Sequence, residues 1–347
     1  MNLQFLTWDR AAPSGGNTYN TELCAAVGEE GVAVRLRRLP GAWPTPTSAD
    51  RRRLADALAE HPRSLVDGIL AAGCPDELAA AARAGRRVAV LFHSGVADEL
   101  HLEDAVAQQR SQVEAAALRA AWRVICPSRH AAARLRARRV ANVRVAAPGG
   151  RREVRAVGSE PPQLLCLAAL SATKNQLVVV SALAELAHLP WQATLAGPTD
   201  LDPNYATRVA EAIRATDLTR RIRLPGTLTG VALAQQWYRS DLLLLPSRRE
   251  TFGLVVTEAL ARGIPAIVSD TTGAAETLKT ASRSGEGGAA LPGARVPATD
   301  AAAWRDLLER WLTDAQLRRQ WRGAALTARQ WLRSWRDTAR EVLIHLD

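Results

Sequence analysis

Lysine is almost missing from this chain: Lys174 and Lys279 are the only two in 347 residues, and arginine supplies the rest of the 45 Lys and Arg side chains. Cysteine is scarce as well. Cys24, Cys74, Cys126 and Cys166 stand singly, with no CxxC or Cys/His spacing, which excludes a disulfide framework or a cysteine-bound metal and leaves the thiols as small buried hydrophobes. No apolar run approaches the ~18 residues that crossing a bilayer takes. The opening MNLQFLTWDR carries Asp9 and Arg10 where a secretory leader would still be apolar. A soluble, cytoplasmic protein is expected. There is no short-period repeat and no low-complexity tail. At 47% hydrophobic and 23% charged, the composition lies outside the range in which chains stay disordered.

The length exceeds the ~250 to 300 residues at which one hydrophobic core stops growing, so two domains are expected. Short apolar runs that suit buried strands alternate with Ala/Leu/Arg stretches of helical character, the pattern of a parallel sheet covered by helices. In the first half LQFLTW, VAVRLRRL, SLVDGIL, RVAVLFH, RVICPS and VRVAAPG read as strands, with crossover helices over 18–30, 49–61 and 104–122. The pattern restarts with QLLCLAAL, WQATLAG, IRLPG, DLLLLPS and IPAIVSD, and helices begin near Asn175, Pro203, Gly230 and Phe252. Between the two runs, GGRREVRAVGSEPP reads as a linker. After Ala301 the chain turns helical, and Trp304, Trp311, Trp321, Trp331 and Trp335 are expected to pack those helices rather than to stack on bases. The expected organisation is an α/β chain of two Rossmann-like domains, 1–155 and 156–330, with a C-terminal helix over 331–347 crossing back to the first. Ligands of such sheets sit beyond the carboxyl ends of the strands, so a cleft between the two copies is the expected site.

The formal charge is +10, with a larger excess before residue 155 than after it. Such an excess suits nucleic acid, a membrane surface or a phosphorylated ligand, but in an Ala/Arg-rich sequence it is more often a solubilising surface habit. The stretch RHAAARLRARR lacks the broad apolar face of an interfacial helix, so membrane contact is expected to be peripheral at most, and no nucleic acid is expected.

The most specific stretch is PSRRETFGLVVTEALARGIPAIVSD, in which a strand ends, a loop carries Glu250, and a helix expected from near Phe252 holds Glu258. The first helical amides, expected at Phe252, Gly253 and Leu254, lack intrahelical acceptors and lie at the positive end of the macrodipole, where they suit phosphate or sugar oxygens. Glu258, a turn further in, suits a diol such as a ribose. On spacing alone, two surface glutamates on an exposed helix would be the default.

The flanking residues overturn that default. The segment resembles the signature of retaining, GT-B-fold glycosyltransferases of family 4 (glycosyl transferases group 1): Pro-Ser at a strand end, Glu-x-Phe-Gly-Leu, then Glu-Ala-Leu-Ala-x-Gly-x-Pro and a strand, with Glu250 and Glu258 forming Glu-x7-Glu. The resemblance implies that Glu258 bonds ribose hydroxyls, that Glu250 contacts the donor sugar, that the amides of Phe252, Gly253 and Leu254 lie near sugar and phosphates, and that Lys174 binds the diphosphate. A lysine there, in a chain that writes almost every other base as arginine, fits that last role, since a point charge on a flexible stem suits a diphosphate, while Lys279 shows that lysine is not confined to functional places. Gly15 and Gly16, in the early glycine loop of Pro13 to Asn17, are implied to bring amides to the phosphates, and His93, after a strand, to touch the donor sugar near the reacting carbon. Asp67 and Ser94 are lesser acceptor-side candidates, with helix capping an equal reading. The sequence departs from the family at Ala168 and Ala169, where a glycine and an arginine are usual, and Arg248 or Arg249 is the expected compensating cation.

The resulting expectation is a metal-independent, retaining glycosyltransferase that moves a sugar from a nucleotide diphosphate sugar, UDP being the favoured carrier, to an unidentified acceptor. The basic first half suggests an anionic one. No cofactor and no metal are expected. The alternatives are a sugar-nucleotide epimerase on the same scaffold and a basic protein that binds nucleic acid or a membrane surface.

Overall fold

Parallel pairing governs both sheets of this chain. The computed structural model describes residues 2–9, 14–100, 102–281 and 290–347, which leaves Arg10 and Pro13 outside the described residues. The chain divides into two units, Met1–Gly149 with Arg333–Asp347, and Gly150–Leu332. The first unit runs β1 (Asn2–Trp8), α1 (Gly15–Glu29), β2 (Ala33–Leu39), α2 (Ser48–Ala59), β3 (Arg63–Asp67), α3 (Gly68–Ala71), α4 (Pro75–Arg83), β4 (Arg87–Leu91), α5 (Asp104–Ala120), β5 (Arg123–Cys126), α6 (Arg129–Ala137) and β6 (Val143–Val145). The second runs β7 (Gln163–Leu167), α7 (Gln176–Glu185), β8 (Gln192–Ala196), α8 (Pro203–Ala215), β9 (Ile222–Arg223), α9 (Gly230–Arg239), β10 (Leu242–Leu245), α10 (Leu254–Ala261), β11 (Ala266–Ser269), α11 (Gly273–Ala281), β12 (Gly293–Val296), α12 (Ala301–Thr313) and α13 (Ala315–Gln330). The last helix, α14 (Trp335–Leu346), belongs to the first unit and packs on α1.

Among the described residues the sheets have the orders β2-β1-β3-β4-β5-β6 and β12-β11-β10-β7-β8-β9. In each, the direction of winding reverses beside the unit's first strand, which opens a crevice at the carboxyl ends of β1 and β3 and of β7 and β10. The run Leu242–Leu245 shows why this topology writes as continuous apolar sequence. Successive strand side chains face opposite sides, so Leu242 and Leu244 enter one core and Leu243 and Leu245 the other. Each is at most 1% exposed, and burying a leucine contributes roughly 1.5 to 3 kcal/mol.

Several expectations need correction. The end of SLVDGIL is the short helix α3, because the Asp67 carboxylate accepts from Ile69 N and turns the chain out of the sheet. β12, a four-residue GARV, carries too little apolar patterning to announce itself. GGRREVRAVGSEPP is no loose linker: after Gly149 it docks on the second unit, with Glu153 N donating to Ala261 O, Ala156 N to Arg262 O and Val157 N to Tyr238 O. Trp304, Trp311 and Trp321 fill the second unit's core, and Trp335 packs edge-on against Tyr19 in the first, but Trp331 is exposed.

Candidate functional site

The carboxyl ends of β7, β10, β11 and β12 lie along one edge of the second sheet, because all four strands are parallel. Their loops are tied together by backbone and amide contacts. Asn175, left-handed at φ 60°, sends Nδ2 to Pro246 O at 3.2 Å and to Ala298 O at 2.7 Å. Arg248 N donates to Thr173 O and Gly273 N to Glu250 O, both at 2.8 Å. These ties bring Lys174 and Glu250, 76 residues apart in sequence, into an ion pair of 2.7 Å between Nζ and Oε2. The pair is largely shielded from solvent, with Lys174 25% and Glu250 15% exposed, and Glu250 Oε1 also accepts from Thr251 N.

The helix holding Glu258 begins two residues later than expected. Phe252 precedes it, Gly253 is its N-cap, and Leu254 is its first residue. Glycine is required at the cap twice over: φ is +78°, and an added Cβ would lie 2.9 Å from the Ala274 Cβ. Only Leu254 among the three expected amides is therefore helical; the Phe252 carbonyl is held by the Thr277 hydroxyl. Glu258 sits in the second turn. Burial raises its carboxyl above the ordinary glutamate range, against the lowering by Arg262, and its carboxylate accepts no hydrogen bond from a described residue.

On the first unit, Ser14 caps α1 by accepting from Asn17 N. Gly15 and Gly16 are thus the first helical residues rather than a loop. Gly16 faces His93, whose Cδ2 would lie 3.1 Å from a Cβ placed there. His93 follows β4 by two residues, with its ring tilted against Tyr19 at 5.2 Å between centroids. Its Nε2 meets Asn20 Oδ1 at 2.8 Å, and Asn20 Nδ2 donates to Asp67 Oδ2 at 2.6 Å. Asp67 therefore both caps α3 and reaches this cluster, whereas Ser94 is exposed. Asn20 and Asn175 carry no sequence signal.

Three of the five arginines of RHAAARLRARR are engaged internally. Arg134 grips Asp98 with two bonds, Arg138 bonds the buried Glu114, and Arg136 reaches Val143 O. Glu114 and Asp98 in turn accept from Val96 N and Gly95 N, so this stretch fixes the loop after His93. Ala169 lends its carbonyl to Gln176 Nε2, and Arg248 and Arg249 are exposed, so neither is turned inward. The triplet Asp200-Leu201-Asp202 has an Asp-x-Asp pattern, but Asp202 caps α8 through Tyr205 N and also accepts from Ala172 N. Among the described residues no three His, Cys, Asp or Glu side chains gather as metal ligands, and no helix is long and apolar enough to cross a membrane. A concavity of about 510 Å³ beside β9 and α9, lined in part by Ile222, Leu228 and Gln236, includes none of the site residues.

The family model for glycosyl transferases group 1 matches residues 151–327. D-inositol 3-phosphate glycosyltransferase of Salinispora tropica is 34% identical over 148 residues, 42% of this chain and 28% of that protein. The chain spans less than half the length of the curated relatives it first matches. Among solved structures, Anabaena HepE in complex with UDP-glucose superposes with a TM-score of 0.77 at 16% identity, covering 99% of this chain and 98% of the other. Sucrose-phosphate synthase of Thermosynechococcus elongatus gives 0.74 at 20% identity, with the same coverages. These likenesses are of fold.

Proposed function

The chain belongs to the glycosyl transferases of group 1, on a GT-B fold, and from that membership we propose that it moves a sugar from a nucleotide diphosphate sugar, held by the second unit, to a hydroxyl of an acceptor held by the first. The observation that carries the reading is the convergence of Lys174, Glu250 and the start of α10 on one sheet edge, with Glu258 in the second turn of that helix. Lys174 takes the diphosphate, exchanging Glu250 for phosphate oxygens. Glu258 accepts two hydrogen bonds from the ribose diol, which supplies donors that the described residues do not give this half-buried carboxylate. Glu250 turns to the sugar hydroxyls. The amides at the start of α10 and the ammonium stabilise charge on the departing diphosphate. The bond from the anomeric carbon to the phosphate oxygen breaks, the acceptor oxygen bonds that carbon on the same face, and the acceptor's proton passes to the leaving phosphate oxygen. Retention follows, and no metal is called on. UDP is the proposed carrier, supported by the UDP-glucose bound to HepE. The first unit contributes His93.

Melting curves with UDP, GDP, ADP and TDP test the donor half, because a ligand that binds only the folded state raises the melting temperature. Stabilisation by UDP that Glu258→Ala abolishes is expected, as is transfer that persists in excess chelator. A free sugar released from UDP-sugar without any acceptor would instead mark an epimerase.

A further inference from the structure

The hydrogen-bonding roles in the chain Asp67, Asn20, His93 are forced one after another. Both Asp67 carboxylate oxygens accept, so the group that Asn20 presents to Oδ2 at 2.6 Å is the Nδ2 amide. That fixes the other end of the amide: Oδ1, which also only accepts, faces His93 Nε2 at 2.8 Å. A ring nitrogen facing a pure acceptor must carry the proton. We propose that Asp67 and Asn20 are positioning residues that lock His93 as the Nε2–H tautomer, making Nδ1 the ring's acceptor, so that a hydroxyl meeting Nδ1 is read as a donor.

The surroundings suit a fixed ring. Asn20 and Asp67 are each 6% exposed, and both Asp67 oxygens are used, Oδ1 by Ile69 N at 3.1 Å and Oδ2 by the amide. Gly16 leaves room for the imidazole edge, and Tyr19 leans on its face with its own hydroxyl anchored to Ala146 O at 2.9 Å. Burial lowers the imidazole pKa, opposed by the Asp67 charge, so the ring is neutral at physiological pH and a tautomer is a defined property of it.

The relay rests on the proposed transferase only for its use, since its existence is read without any substrate. With 15N-labelled imidazole, two-bond 1H–15N correlation spectra at pH 8 distinguish the two neutral tautomers, and His93 should appear as Nε2–H. Asp67→Asn keeps an acceptor for the α3 cap, but its amide then faces Asn20. The Asn20 amide must turn over and present Nδ2 to His93, and the tautomer should invert to Nδ1–H. Asn20→Leu removes the amide altogether and should give both tautomers side by side, which keeps the test open if Asp67→Asn does not fold. A pure Nε2–H signal in either folded variant, or Nδ1–H in the native protein, overturns the relay. In a transfer assay, inversion should lower kcat about tenfold with KM unchanged. Inversion without any change in kcat would leave the relay standing and remove His93 from the proposed chemistry.

Discussion

Replacing Glu250 with glutamine should push affinity and turnover in opposite directions. The Lys174 to Glu250 pair, at 2.7 Å and mostly shielded, has a gross attraction of about 6 kcal/mol at an effective dielectric near 20, most of it offset by desolvation. The net worth of a charge-assisted hydrogen bond is about 1.5 to 3 kcal/mol. A diphosphate that claims the ammonium must displace this partner and approach the carboxylate's charge. Glutamine keeps the shape and can still accept from Thr251 N, but it no longer competes for Lys174. Calorimetric titration with UDP at fixed ionic strength should therefore show Glu250→Gln binding about tenfold or more tightly than the native protein. Transfer should slow by a similar factor, because the sugar loses a charged acceptor. Lys174→Met should bind at least tenfold more weakly when residue 250 is glutamine, and by a smaller factor with Glu250 present, since there the ammonium must first give up its carboxylate partner. The double variant isolates the coupling. If Glu250→Gln binds UDP no better than the native chain and Lys174→Met costs the same in both backgrounds, the pair is not the gate for the diphosphate and the reasoning fails.

Gly253→Ala should destabilise by roughly 1 to 3 kcal/mol, from the left-handed φ and the contact with Ala274, and lower the melting temperature by several degrees, which calorimetry reads directly. Glu258 illustrates a conflict between binding and stability. Its folded-state pKa lies above its unfolded value, so the ionised form costs stability at neutral pH, and that cost disappears as pH falls through the raised pKa. Glu258→Gln should melt above the native protein at pH 8, by a margin that narrows towards pH 5, while losing UDP affinity at every pH. A margin that widens on acidification would contradict the assignment of burial as the cause.

How much of this was legible depended on whether the information was local. The strand-loop-helix around Glu250 and Glu258 reads from sequence because a buried parallel strand writes as an unbroken run, Leu242 to Leu245, and because a helix after it needs an opening that glycine supplies. α10 starts two residues later than the sequence implies, since the left-handed turn at Gly253 is imposed by the packing of Ala274 and Leu245, which are remote or on another element. Asn20 was invisible for a stronger reason. Its partners lie 47 and 73 residues away, and an asparagine within a helix is indistinguishable from a surface residue until the sheet places Asp67 and His93 beside it. Asn175 is the same case: its contacts with Pro246 and Ala298 exist only once three loops meet.

The near absence of lysine takes on a physical meaning once the arginines are placed. Arg221 fastens Ala187, Leu189 and Trp191 carbonyls, Arg318 fastens Trp311 and Leu312, Arg329 fastens Ala261 and Glu153, and Arg322 reaches Ala156. Arg134 and Arg138 close ion pairs in the first unit. A planar fork with several fixed donors suits such permanent bonds to carbonyl and carboxylate oxygens. Much of the positive charge is therefore structural, and the excess by itself argues less for an anionic acceptor than it does before the side chains are placed. In the proposed role, Lys174 stands where permanence would be a fault, since there its ammonium passes from Glu250 to an incoming anion and back in each turnover. Three rotatable donors on a flexible stem can make that exchange without re-forming a two-pronged geometry, which is a physical reason for this position to hold lysine in a chain that writes nearly every other base as arginine.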